Sequence, residues 1–242
     1  MHEKIFFGKT DIGLKRKNNE DAFVVSPELD FCLAADGMGG AAAGEIASQI
    51  FADTTQEIFT GNTDRSQKEV LYRIQKAFSA ANEKIIEDIF QNASHKGMGC
   101  TAELLAFSDE GFIAGHIGDS RTYRLRKGRL EQLTQDHTIV QQQFEEGLIS
   151  ADQIKQHPLR NVIFRAVGIK EELALDLVIG KIFEEDIFLL CSDGLTDMIP
   201  DEQILEILCS DSDISRKAKE LIEAAKVAGG IDNITVVLAA IA

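Results

Sequence analysis

The chain has 242 residues, room for one large domain or two small ones, and its 44% hydrophobic content suits a sizeable core. A formal charge of −15 argues against nucleic acid, whose phosphate backbone needs a cationic surface, and against anionic membranes. No stretch approaches the ~18 apolar residues of a membrane span, and the opening "MHEKIFFGKT" carries no secretory pattern. Cys32, Cys100, Cys191 and Cys209 are widely spaced and lack any C-x-x-C pairing, so buried free thiols in a reducing cytoplasm are expected rather than a zinc site.

The first elements read as strands: "KIFFGKT", "AFVVS" and "LDFCLAA", with a turn around Pro27. Helical patterns follow over Ala43–Phe59 and from Ser66 to about Phe90. In the second, Val70, Leu71, Ile74, Ala77, Phe78, Ala81, Ile85, Ile86 and Ile89 are spaced as one apolar face; "TGNTD" between the two is a loop. A second group of strands comprises "CTAELLAFS", "GFIAGHIG", "RTYRLRKG" and "RLEQLT". Short turns at Asp109-Glu110-Gly111 and Lys127-Gly128 join them as hairpins. From His137 to about Ala166 the pattern turns polar and loosens into a short helical excursion. Strands return at "LALDLVIG" and "DIFLLCS". Helical stretches near Glu202–Leu208 and Ser215–Ala228 precede a last strand, "NITVVLAAI". Hairpin strands and blocks of helices predict an α+β fold with antiparallel sheets. No Pro/Gly/Ser-rich linker divides the chain, so residues 1–242 are expected to form one domain.

Three apolar runs end at an acid beside glycine: Leu33 to Asp36-Gly37, Ile113 to Gly118-Asp119, and Leu189 to Asp193-Gly194. The mirror image, Gly229-Gly230-Ile231-Asp232-Asn233, precedes the final strand. One such pair alone reads as an ordinary turn. Four of them predict a gathering on one rim, since the end of one antiparallel strand lies beside the start of its neighbour. Carboxylates so crowded repel, and either some take up protons or cations settle between them. All-oxygen ligands without His or Cys at metal spacing suit Mg²⁺ or Mn²⁺.

With these come "TDIGLKRKNNEDAF", "AADGMGGAAAGEIAS", "GHIGDSRTYRL", "LLCSDGLTDMI" and "GGIDNITVV". In that order they resemble the sequence signatures of the metal-dependent Ser/Thr protein phosphatases, the PPM or type 2C family, in its compact bacterial form. The likeness runs from about Thr10 to Val237. It implies a four-layer α-β-β-α sandwich with a binuclear metal centre at one end, hydrolysing phosphoserine and phosphothreonine in proteins by direct attack of a metal-bridging water. By the same resemblance Asp36 bridges two ions, the carbonyl of Gly37 binds one, and Asp193 and Asp232 bind the other. Asp119 and Asp193 hold a third, weaker ion. Asp21, counted with the metal set, orients metal-held water, and Arg16 grips the substrate phosphate. Arg16, Asp36, Asp119 and Asp193 form the expected catalytic set.

Some family members carry histidine at the position of Met38, where it is proposed to protonate the leaving alcohol. Met38 cannot, so that proton must come from water, held near Asp119 by the looser ion. Cys100 stands where a small hydroxyl residue is usual and reads as a fold residue. His116 reads as structural, and Asn233 as shaping its turn through side-chain hydrogen bonds. The stretch 137–166 corresponds to the family's flap beside the cleft. The expected partners are phosphorylated proteins and a cognate Ser/Thr kinase or its targets, with a monomer working in the cytoplasm. Two other readings are a metal-dependent hydrolase of small phosphate esters and a catalytically silent regulatory module of the same fold.

Overall fold

A computed structural model describes residues 2–39, 43–154 and 157–242. Gly40, Ala41 and Ala42 of the glycine-rich stretch, and Lys155 and Gln156 of the flap, lie outside the described residues. The strands are β1 (Lys4–Asp11), β2 (Asp21–Ser26), β3 (Phe31–Met38), β4 (Gly99–Cys100), β5 (Ala102–Ser108), β6 (Gly111–Ile117), β7 (Arg121–Arg126), β8 (Arg129–Gln132), β9 (Asp176–Gly180), β10 (Ile187–Cys191) and β11 (Ile234–Ile241). The helices are α1 (Gly44–Phe59), α2 (Gln67–Gln91), α3 (Ile139–Glu145), α4 (Ala151–Ile154), α5 (Asp193–Thr196), α6 (Asp201–Leu208) and α7 (Ile214–Val227). One sheet runs β1-β11-β10-β7-β8. The other runs β2-β3-β5-β6-β9, with β4 paired to β3. Each named pairing is antiparallel.

Period-two alternation explains why β3, β5, β6, β10 and β11 read as unbroken apolar runs: each is buried on both faces. On β3, Phe31, Leu33 and Ala35 face a core shared with α1 and α2, among Phe51, Ile74 and Phe78. The intervening Cys32 and Ala34 turn to a second core between the sheets, with Phe107, Phe188 and Val237. On β11, Val237, Ala239 and Ile241 join that central core. Ile234, Val236 and Leu238 face outward to Ile204, Leu221 and Ala225 of α6 and α7. Helix, sheet, sheet and helix are therefore four layers separated by three apolar seams, the expected sandwich.

The local signals act where they were read. Ser66 caps α2 by accepting from the Glu69 amide, and Asp213 caps α7 by accepting from Ser215 and Arg216 amides. The hairpin turn at Lys127-Gly128 places both residues at positive φ. Three points differ from expectation. The strand anticipated from Leu173 begins only at Asp176, the short α5 follows β10 directly, and Cys209 is exposed, whereas Cys32, Cys100 and Cys191 are buried thiols. Cys209 is the residue that ends α6, at the exposed end of that helix rather than within an apolar strand like the other three. No helix among the described residues is long and apolar enough to cross a membrane.

Candidate active site and metal centre

Strand register brings the four acids at the strand ends, Asp36, Asp119, Asp193 and Asp232, towards one rim. Asp36 closes β3 and pairs across the sheet with Asp21, the first residue of β2. Asp119 follows β6, whose last residue Ile117 pairs with Ala102 at the start of β5. In the facing sheet, Cys191 at the end of β10 pairs with Val236, near the start of β11. Asp193 and Asp232 flank those two ends. The Asp36 backbone is tied to Thr101, whose amide donates to the Asp36 carbonyl at 2.9 Å and whose Oγ1 accepts from the Asp36 amide at 3.0 Å.

Asp21 joins the sheets. Its Oδ2 accepts from Ser192 Oγ at 2.8 Å and from Thr235 Oγ1 at 2.6 Å, both on the opposite sheet's rim. Its Oδ1 is buried and meets no hydrogen-bond donor among the described residues; the same holds for Asp193 Oδ1 and Glu45 Oε2. Burial, with Asp21, Asp193, Asp119 and Asp232 nearby, pushes the Asp36 carboxyl well above the usual carboxylate range. Burial with Asp119 as the main charged neighbour does the same to Asp193. Burial pushes Asp21 up to about 6, against the pull of the Thr235 and Ser192 hydroxyls, and Asp119 up to about 7, with Asp136 adding to it.

These features test whether divalent cations fit. Buried acceptor oxygens without donors, in a cluster that resists its own ionisation, are the donor set a hard cation would neutralise. Gly37 suits it too: a Cβ there would fall 2.1 Å from the Gly44 carbonyl, so only glycine lets the chain run so close beside Asp36. Among the described residues no three such side chains already close into a cage. Two of the acids are turned to protein donors instead: Asp21 to the two hydroxyls, and Asp232 to Arg16 and to its neighbour's amide.

Arg16 sits on the β1–β2 loop, half exposed, and its Nη2 donates to Asp232 Oδ2 at 2.6 Å. That bond raises the guanidinium pKa further. Asn233 holds this loop in place. Its Nδ2 donates to the carbonyls of Ile12 (3.0 Å) and Asn18 (2.9 Å), and its Oδ1 accepts from the Glu20 amide at 2.8 Å. The turn role expected for Asn233 thus extends to the arginine loop. Gly194 packs against the same turn, where a Cβ would stand 1.9 Å from the Asn233 carbonyl.

His116 is buried as a structural residue, its Nδ1 against the Glu103 carboxylate and its Nε2 donating to the Gln135 carbonyl at 2.8 Å. Cys100 is likewise a fold residue, buried against the Ala47 carbonyl at 3.7 Å. His137, at the flap's base, braces the Asp119 turn. Its Nδ1 accepts from the Gly118 amide at 3.0 Å, and its amide donates to the Gly118 carbonyl at 2.7 Å. Its Nε2 donates to Asp176 Oδ2 at 3.1 Å, and burial lowers its pKa to about 4, so it stays neutral.

Two acids escaped the sequence reading. Glu20 accepts from the Gly37 amide at 3.1 Å and from Ser48 Oγ at 2.6 Å through its carbonyl. Its carboxyl is pushed up by burial and by Glu45. Glu20 stands beside Asp21 in "NNED", a visible signal. Glu45 lies in the first turn of α1 and gave none.

The family model described as Protein phosphatase 2C matches residues 15–226. The chain is 38% identical over 234 residues to the serine/threonine protein phosphatase PstP of Mycobacterium tuberculosis, covering 97% of this chain and 44% of that protein; the chain thus spans under half the length of that relative. It is 36% identical over 232 residues to the protein phosphatase PhpP of Streptococcus pneumoniae, covering 95% of this chain and 94% of that one. The crystal structure of the M. tuberculosis serine/threonine phosphatase PstP/Ppp superimposes with a TM-score of 0.91 at 37% identity, over 98% of each chain. A structure of the PstP catalytic domain in complex with two manganese ions superimposes at 0.86 and 36% identity, again over 98% of each. With its sandwich, its rim of aspartates and these relatives, the chain belongs to the protein phosphatase 2C family, as its sequence resemblance implied.

Proposed function

We propose that this chain, working as one catalytic domain over residues 1–242, hydrolyses phosphoserine and phosphothreonine in proteins. The observation that carries the reading is the rim itself: Asp21, Asp36, Asp119 and Asp193 crowd until burial and mutual repulsion raise each carboxyl. Arg16 stands at the fifth acid, Asp232. Two divalent ions, Mn²⁺ or Mg²⁺, supply Lewis acidity and bring a water's pKa towards neutrality. Asp36 and the Gly37 carbonyl, with Asp193 and Asp232, would hold them; Asp119 and Asp193 would hold a third, weaker ion.

The chain's own groups do the rest. Arg16 offers a planar fork to two phosphate oxygens, a match lysine cannot reproduce. Asp21, locked by Ser192 and Thr235, keeps Oδ1 to accept a hydrogen from the attacking water and aim it. The water oxygen bonds to phosphorus as the bond to the seryl or threonyl oxygen breaks, and that oxygen takes a proton. Met38 cannot donate it, so water beside Asp119 does. Phosphoprotein substrates, a cognate kinase and a monomeric cytoplasmic enzyme complete the proposal.

The test is phosphate release from a phosphothreonine peptide with Mn²⁺. Asp36→Asn and Asp193→Asn should each lose at least about 100-fold in kcat. Release that needs no metal, or that survives both substitutions, ends this reading.

A further inference from the structure

A cavity of about 580 Å³ opens from the aspartate rim beneath the flap, larger than a phosphoryl group needs. Its inner end holds Asp119 and Asp193, the latter with its buried Oδ1 lacking a donor among the described residues. One wall is the flap, with Val140, Ile154 and Arg160. The other is the α5–α6 segment, with Met198, Ile199, Asp201 and Glu202, and Ile231 forms the edge beside Asp232.

The walls combine apolar surface with uncompensated negative charge. Asp136 is neutralised by a bidentate bond from Arg121 at 2.8 and 2.7 Å. Asp201 accepts from the Tyr123 hydroxyl at 3.1 Å, and Asp197 has Asn161 Nδ2 at 3.4 Å. Glu202 makes no ion pair among the described residues. Among the described residues of the lining, Asp197, Asp201 and Glu202 thus face one guanidinium, Arg160. The exposed cations of the β1–β2 loop, Lys15, Arg16 and Lys17, do not line the cavity, and Arg16 is held at Asp232, next in the chain to the edge residue Ile231. A substrate chain with its phosphate at the rim therefore meets a basic loop on one side and an acidic, apolar trough on the other.

We propose that the trough between the flap and α6 binds the substrate segment flanking the phosphorylated residue, and selects lysine or arginine interspersed with aliphatic side chains on that side alone. The proposal rests on the phosphatase reading above. Asp201 and Glu202 receive the cationic groups, and the accessible Ile154, Met198 and Ile231 receive the aliphatic ones. The attraction is rim-exposed and adds per residue only modestly, so it acts through KM rather than kcat.

Three phosphothreonine peptides separate the outcomes: a neutral one, one with two arginines N-terminal to the phosphothreonine, and one with them C-terminal. With Mn²⁺, one arginine peptide and not the other should exceed the neutral peptide by about tenfold in kcat/KM, through KM. Asp201→Asn/Glu202→Gln should erase the gain while leaving the neutral peptide within about twofold. Glu202→Lys, whose fold is checked by circular dichroism, should reverse the preference. Fluorescence anisotropy with the same peptides carrying a non-hydrolysable phosphonate should rank them alike. The proposal falls if neither arginine peptide gains, if both gain equally, or if the gain survives the double substitution, and in each case turnover of the neutral peptide leaves the phosphatase reading standing. No turnover of any peptide removes both.

Discussion

Arg16 and Asp232 hold each other at 2.6 Å, and the pair sets two residue-scale expectations. A carboxylate shared with an arginine cannot give its full charge to a cation, so loading of the site and release of the guanidinium go together. Arg16→Lys keeps the charge and loses the fork, and should cost about tenfold in kcat/KM on phosphopeptides, with inorganic phosphate inhibiting more weakly; an unchanged inhibition constant would contradict the assigned grip. Asp119 lies further along the rim, braced by His137 through Gly118. Asp119→Ala should keep two Mn²⁺ by calorimetry and lose at least about tenfold in turnover. Wild-type turnover would remove the third ion from the reaction.

At the scale of elements, the Asn233 turn decides whether the arginine loop has a fixed address. Its side chain is almost fully buried and serves the backbone of Ile12, Asn18 and Glu20. Asn233→Ala leaves those groups unmatched and should cost about 2–4 kcal/mol of stability by urea unfolding, with the Arg16 loop loosened in hydrogen exchange. Asn233→Asp should recover only part of this, since it lacks the two donors. The strands and helices of this region were legible because β3, β10 and β11 are apolar on both faces and the helices repeat at their own period. The acids at the strand ends were legible as interruptions of those runs. The four residues of α5 and the two of β4 are too short to impose any period. Glu45 and the brace of His137 on Gly118 depend on contacts between distant segments, which no local pattern records. Cys209 shows the limit from the other side, since residue type alone suggested burial.

Across the whole molecule the charge of −15 and the raised carboxyls act in one direction. Asp21 and Asp119 titrate near 6 and 7 in the fold and near 4 when unfolded. Below about pH 4 both states hold the protons and folding loses nothing to these groups. As pH rises through 6 and 7 the unfolded chain is already ionised, and the folded chain must ionise against burial and repulsion. The EDTA-treated protein should therefore melt several degrees lower at pH 8 than at pH 5, by about 5 °C. Mn²⁺ should close most of that gap, and Asp119→Asn should narrow it without metal. A melting temperature independent of pH would contradict the crowding. The same balance predicts that a phosphate analogue binds poorly to the metal-free protein and well once Mn²⁺ is present. Equal affinity would show that the dications do not reverse the local sign.

The hydroxyls of Ser192 and Thr235 make Asp21 a rivet between two leaves, and the acids it aligns ride on both: Asp36 and Asp119 on one, Asp193 and Asp232 on the other. Slippage of one leaf past the other would alter every spacing between them while leaving each leaf's own ladder intact. In rising urea, catalysis should fade at concentrations where circular dichroism is still native, and Thr235→Val should bring that fading earlier. The working part of this protein is then the alignment of its halves, which fails before either half does.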